Sequence, residues 1–101
     1  MWRQGDVMFM KVGELPDSAA RREHLVLAEG EMTGHAHRVE DPETAELFQE
    51  GDTLYLRITA SKAKVVHEEH GTIELVKGLY KVWKQREYSP GSLNNNRLVV
   101  D

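Results

Sequence analysis

The chain contains 101 residues, of which 40% are hydrophobic and 30% are charged, and its formal net charge at pH 7 is −4. This length predicts a single domain spanning residues 1–101, and no apolar run approaches the roughly 18 residues of a membrane-spanning helix. Because the chain has no cysteine, disulfide scaffolds, cysteine-ligated zinc fingers, iron–sulfur clusters and thiol nucleophiles are excluded.

The first half of the chain contains short apolar runs separated by turn-forming residues. Residues 6–12 (DVMFMKV) form a nearly continuous apolar run, which is typical of a buried strand. Residues 18–24 (SAARREH) follow the turn-forming Pro16 and are rich in helix formers, so they predict one short helix. Further short strands are predicted at residues 25–27, 35–39 and 45–49.

The second half shows the alternation of apolar and polar side chains that half-buried strands have. In residues 53–59 (TLYLRIT), Leu54, Leu56 and Ile58 share one face, so we expect them in the core. Residues 79–88 predict a second long strand in the same sheet. Other strands are predicted at 62–67, 72–76 and 98–100, with turns at 50–52 and 77–78. About eight short strands and one short helix predict an all-β domain, either a small β-barrel or a sandwich.

The charge of the chain bears on its possible partners. The acidic excess disfavours nucleic acid, because proteins that bind it usually carry a basic excess. The segment from Lys77 to Arg86 interleaves basic and aromatic side chains, which could stack on bases, but a solvated strand face is the simpler interpretation. Met1 to Asp6 show no secretory signal, so we expect a cytoplasmic protein. The expected partner is a protein or a small molecule, with neither a membrane nor nucleic acid involved.

Four of the five histidines fall in two closely spaced pairs, one in HAH at 35–37 and the other in HEEH at 67–70. On a strand, the two histidines of the first pair would point to the same face and could converge on one ion. The second pair could join them only if the chain turns, which Gly71 permits. Neutral imidazoles suit a divalent ion of zinc, nickel, iron or manganese. The predicted metal ligands are His35, His37, His67 and His70.

Two interpretations of these histidines differ in kind. In the first, the chain is a metal-dependent enzyme or sensor in which Glu68 or Glu69 acts as general base for a metal-bound water. In the second, the histidines are structural, and the chain is a non-catalytic interaction module of a larger bacterial or phage system. Metal analysis of protein purified without a histidine tag distinguishes them, because only the first predicts stoichiometric metal.

Two resemblances accompany these motifs. Gly-His-x-His, followed by an acidic residue and a later histidine, resembles the metal-binding motif of the cupins, a superfamily of β-barrel proteins. That resemblance implies that His35 and His37 are paired ligands and that Glu40 is the acidic ligand. The fourth ligand would be His67 or His70. The motifs GHAH, HEEH and QREY, with their surroundings, resemble a family of small bacterial and phage proteins without an established activity, and this second resemblance spans most of the chain.

Overall fold

The described part of the chain folds into one antiparallel sheet of eight strands. A computed structural model describes residues 1–29 and 34–85. The strands are β1 (Trp2–Gln4), β2 (Val7–Val12), β3 (Ala20–Arg21), β4 (Val26–Glu29), β5 (Ala36–Val39), β6 (Ala45–Glu50), β7 (Thr53–Val66) and β8 (Ile73–Lys84). Among these residues, the 3-10 helix Pro42–Thr44 is the only helical element. The prediction of an all-β fold is therefore confirmed. No helix in the described ranges has the length and apolar character needed to cross a membrane.

The long hairpin of β7 and β8 lies at the centre of the sheet. The strand order is β1-β2-β8-β7-β5-β4, and β6 pairs with β7 on one side and with β3 on the other. One edge of β7 thus pairs with β6 near its start and with β5 near its end. The tight turn between β6 and β7 contains Gly51 at φ 60°, as the turn predicted for residues 50–52 requires.

An irregularity in the β7–β8 pairing divides this hairpin into two halves. The register shifts between Ile58 and Lys62, and such bulges bend a strand and increase its twist. Before the bulge, the buried residues have even numbers (Leu56 and Ile58), and after it they have odd numbers (Ala63 and Val65). The bend allows a single strand to present one apolar face to the core while it changes its neighbour from β6 to β5.

Apolar side chains from β2 and from β4 to β8 form the core. Tyr80 packs its ring edge-on against Trp2, with 5.4 Å between the ring centroids. The Tyr80 hydroxyl donates a 2.8 Å hydrogen bond to the Val76 carbonyl, and burial raises the pKa of the phenol. Leu54, which was expected in the core, is half-buried and packs against it. The other large, fully buried side chains are Val7, Phe9, Leu47, Leu56, Ile58, Val65, Leu75 and Val82.

The helix predicted for residues 18–24 is wrong. Residues 17–18 lie in a turn, Ala20–Arg21 form β3, and the Arg22 N–H donates to the Leu47 carbonyl at 2.7 Å. So short a segment cannot nucleate a stable helix by itself. Pairing with β6 satisfies its backbone groups instead.

Four of the predicted strands form two longer ones. Residues 53–59 and 62–67 belong to β7, except His67. Residues 72–76, except Thr72, and residues 79–88 as far as Lys84 belong to β8. The turn predicted at 77–78 is wrong, because Gly78 lies within β8 at φ 151°, where its missing side chain leaves room for Lys11. β1 and β3 were not predicted. The strand predicted at 98–100, and the end of the one at 79–88, lie outside the described residues.

Candidate metal centre

One histidine of the cluster, His37, lies on strand β5 and is buried in the protein interior. His37 is only 4% exposed, and its Nδ1 lies 2.8 Å from the amide oxygen of Gln4. Gln4 is 2% exposed, and its amide nitrogen donates to the carbonyls of Val65 and Gly71, both at 2.9 Å. This network assigns the hydrogen of the neutral imidazole to Nδ1, because Nδ1 faces an acceptor. The lone pair of the ring is therefore on Nε2.

The surroundings of His37 keep its ring uncharged. Burial lowers the pKa of His37 to about 4, and the neighbouring His67 acts in the same direction. The Asp6 carboxylate opposes this shift, with its Oδ1 at 3.7 Å from His37 Nε2. At neutral pH, the ring thus presents an unprotonated nitrogen, which is the form that metal ions bind.

His67, which follows β7, is the centre of the histidine cluster. Its ring centroid lies 4.3 Å from that of His37, 4.7 Å from that of His70 and 5.9 Å from that of His35. Ligand atoms of His37, His67 and His70 all lie within 4.8 Å of one another, as do those of His35, His67 and Glu68. Ligands of a tetrahedral ion lie about 3.4 Å apart, so small movements would let either group share one ion. The fold brings together all four histidines that the sequence singled out.

These side chains line a cleft of about 550 Å³. The turn between β1 and β2, the end of β4, and the loop between β7 and β8 form its walls. Exposure increases from the buried His37 through the half-buried His67 to the exposed His70. An ion bound at the cluster would therefore be held from the protein side and open toward the cleft.

The two carboxylates predicted as general bases have different surroundings. Glu68 accepts hydrogen bonds from the Ala36 N–H at 2.8 Å and from Arg38 at 2.7 Å. The hydrogen bond from the Ala36 N–H, assisted by Arg38, lowers the pKa of Glu68. Glu69 lines the cleft, with its Oε2 at 3.3 Å from His35 Nδ1. Of the two, Glu69 therefore has the carboxylate that is available to a molecule in the cleft.

Two other residues from the sequence patterns lie apart from the cluster. Glu40, the acidic ligand implied by the cupin resemblance, is exposed beyond the end of β5, and its N–H donates to the Lys64 carbonyl at 2.9 Å. Neither group of possible ligands in the described ranges contains it. The fifth histidine, His24, is exposed and contacts Arg22 at 2.9 Å.

The turn between β1 and β2 carries site residues that no sequence pattern connected to the histidines. Gly5 adopts φ 61°, and a Cβ added there would lie 2.6 Å from Nε2 of His70. Asp6 faces His37 through Oδ1, and its Oδ2 lies 3.6 Å from Lys84 Nζ. A Gly-Asp pair between apolar segments is a recognised signal for a two-residue hairpin turn. That signal would have predicted the turn, but not its contact with the site.

Replacing Gly5 by alanine should disturb His70, whereas the same replacement at Gly51 should not. The two glycines have nearly equal positive φ angles, 61° and 60°, so alanine costs about 1–2 kcal/mol of backbone strain at either. At Gly5 the new methyl group would clash with the His70 ring. At Gly51 no atom lies within 4 Å of the added methyl group. We expect urea unfolding to show a larger loss of stability for G5A than for G51A. The NMR signals of the His70 ring should shift only in G5A, and unchanged signals would contradict this contact.

Comparison with known proteins gives one family. A family model matches residues 3–85, a range that contains the whole histidine cluster and the turn at Gly5. Neither a search of curated proteins nor one of solved structures gives a significant match. The chain belongs to the family described as a domain of unknown function, DUF8820.

Proposed function

We propose that this chain binds a divalent transition-metal ion through His37, His67 and His70. The observation that carries the proposal is the convergence of their three ligand atoms within 4.8 Å, at the wall of a cleft. Three neutral imidazoles suit zinc, nickel, iron or manganese. The cluster joins two segments that are distant along the chain, β5 and the loop after β7, so an ion would also link these parts of the fold.

The hydrogen bonding of His37 supports this function. Metal-binding histidines usually donate their second ring N–H to an oxygen atom, which fixes the tautomer and the orientation of the ring. Gln4 holds His37 in this way, and the carbonyls of Val65 and Gly71 in turn hold Gln4. His37 is therefore prepared for coordination through Nε2 before any ion arrives.

The hydrogen bonding of His67 implies that its loop adjusts when an ion binds. The Glu69 N–H donates to His67 Nδ1 at 3.0 Å, which leaves the hydrogen of the neutral ring on Nε2. Coordination through Nδ1 displaces this donor, and coordination through Nε2 requires the ring hydrogen to move to Nδ1. Either way the hydrogen bond is lost, so the amide signal of Glu69 should report metal binding.

The cleft suggests how a bound ion would be used. Its volume of about 550 Å³ is within the range of small-molecule sites. An ion with an open position can lower the pKa of a bound water, and a nearby carboxylate can accept the proton. In this proposal Glu69 is the general base, because its carboxylate lines the cleft whereas that of Glu68 is held by Ala36 and Arg38.

Replacing His70 by alanine should abolish most of the metal binding. Calorimetric titration of untagged, EDTA-treated protein at pH 7.5 with zinc, nickel and manganese should give one ion per chain. Losing a ligand should weaken metal binding by about 100-fold or more. Even residues that only hydrogen-bond to a ligand typically change metal affinity by about 10–100-fold. His24→Ala is the matched control, because it removes a histidine that lies outside both ligand groups, and it should retain the affinity of the unaltered chain.

Thermal unfolding provides a second readout of the same proposal. An ion at about 100 times its Kd should stabilise the fold by about 2.7 kcal/mol, and H70A should lose this gain while H24A keeps it. If the unaltered chain binds no metal, or if H70A and H67A both retain full affinity, the proposal is wrong. The histidines would then be structural, and a non-catalytic interaction module would be the better description.

A further inference from the structure

Asp6 and His37 face each other through two hydrogen-bond acceptors. His37 Nε2 carries a lone pair, because Gln4 places the ring hydrogen on Nδ1. An ionised carboxylate also only accepts hydrogen bonds, and Asp6 Oδ1 lies 3.7 Å from Nε2. Two acceptors at this separation repel each other unless a cation or a donor lies between them. The position between these two atoms is therefore suited to a positive ion.

We propose that Asp6 is a fourth protein ligand of the metal, binding through Oδ1 beside His37 Nε2. This inference rests on the metal binding proposed above. For an ion placed about 2.1 Å from each of these two atoms, which are 3.7 Å apart, the angle between the two bonds at the ion is roughly 120°. This is close to the tetrahedral value. Asp6 lies outside the group of three histidines, so binding would draw its carboxylate toward His67 and His70.

The turn between β1 and β2 is built to hold Asp6 in this position. The Gln85 N–H donates to the Asp6 carbonyl at 2.7 Å and fixes the backbone of the turn. Lys84 lies 3.6 Å from Oδ2, which leaves Oδ1 for the ion. One hairpin therefore supplies a neighbour to both ring nitrogens of His37, with Gln4 at Nδ1 and Asp6 at Nε2.

A set of three imidazoles and one carboxylate has chemical consequences for the ion. Nitrogen and oxygen ligands without sulfur favour zinc, iron, manganese, cobalt or nickel over copper(I). With zinc, four protein ligands would complete a closed tetrahedral shell, as in structural sites. With an octahedral ion such as manganese, two positions would remain open toward the cleft. The fourth ligand thus makes the identity of the metal decide whether the site can accept a small molecule.

Asp6→Asn tests this inference against a matched control. Asparagine suits the same turn and removes the charge, whereas Glu29→Gln removes one charge from the same cleft outside both ligand groups. Cobalt(II) serves as the probe, because its visible absorption depends on its ligands. Asparagine keeps an uncharged oxygen at the ligand position, so we expect Asp6→Asn to weaken cobalt and zinc binding by about 10–100-fold, less than the loss of a whole ligand, and to change the cobalt spectrum. Glu29→Gln should leave the spectrum unchanged and the affinity within a few-fold.

The outcomes separate this inference from the proposed function. If Asp6→Asn keeps the affinity and the spectrum, Asp6 is not a ligand, while the three-histidine site stands. If both variants lose affinity equally and keep the spectrum, the effect is that of charge in the cleft, and the inference is again wrong. If the unaltered chain takes up no metal, both proposals fail. Asp6→Gly gives the same readout should the asparagine variant not fold, as judged by urea unfolding in EDTA.

Discussion

Replacing Gln4 by leucine should lower the free energy of unfolding of the metal-free protein by about 3–5 kcal/mol. The Gln4 side chain makes three hydrogen bonds at the edge of the core, to the carbonyls of Val65 and Gly71 and to His37 Nδ1. Leucine has a similar size but satisfies none of these groups, and each buried polar group left without a partner costs about 1–3 kcal/mol. The apolar burial of leucine offsets part of this loss, and the total remains a large fraction of the stability of a small domain.

Gln49→Leu is the matched control for this replacement. Gln49 also makes side-chain hydrogen bonds, with Arg22 and with the Gly51 carbonyl, but the latter is exposed to solvent. Water can replace the exposed Gly51 partner, and the part-buried hydrogen bond with Arg22 contributes about 0.5–1.5 kcal/mol, so the loss should be near 1 kcal/mol. Urea unfolding in EDTA measures both variants. A loss for Gln4→Leu as small as that for Gln49→Leu would show that Gln4 does not hold β5, the end of β7 and the loop after β7 together.

The same replacement should also weaken metal binding. Without Gln4, nothing fixes the hydrogen of His37 on Nδ1, so Nε2 is no longer the reserved metal ligand. Removing such an outer partner typically costs about 10–100-fold in affinity. Zinc titration of Gln4→Leu, at a temperature where the variant is folded, checks this. An affinity equal to that of the unaltered chain would mean that His37 does not depend on Gln4 for its orientation.

The fold could be predicted where neighbouring residues alone determine the structure. The alternation in residues 53–59 and the turn at 50–52 are local patterns, and both appear as predicted. The bulge between Ile58 and Lys62 is different, because it depends on how β7 pairs with β8. From sequence, the change of parity looks like the end of one strand and the start of another. The helix predicted at 18–24 failed for a related reason, since pairing with β6 outweighed local helix preference.

The candidate site could be predicted only in its local part. His37 on β5 and His35 just before it both line the cleft, as their spacing predicted, and the turn after His67 returns His70 to the same cleft. The partners Gln4 and Asp6 are about thirty residues away along the chain from β5, and ordinary hairpin residues give no sign of their contacts. Only the folded sheet connects them to the histidines, since Gln4 on β1 reaches Val65 near the end of β7 and His37 on β5.

Acidification should destabilise the metal-free protein by up to about 3 kcal/mol between pH 6.5 and pH 4. The pKa of His37 is about 4 in the folded chain, against roughly 6.5 for an unperturbed histidine. Between these values the unfolded chain binds a proton at this position and the folded chain does not. The free energy of unfolding therefore falls as the pH falls through this window. Above the window, His37 does not change the stability with pH. Below the window, the full loss is present.

His37→Gln isolates this contribution from that of other titrating groups. Burial is the main cause of the lowered pKa, the neighbouring His67, His70 and Lys84 act in the same direction, and Asp6 opposes them. Glutamine does not titrate but can still donate to Gln4, so the variant should be less stable at pH 7 yet lose less stability on acidification. Urea unfolding in EDTA at several pH values measures the difference, with His24→Gln expected to follow the unaltered chain. If His37→Gln and the unaltered chain lose stability in parallel from pH 6.5 to pH 4, the fold does not hold His37 neutral, and His37 is not ready to bind a metal at mildly acidic pH.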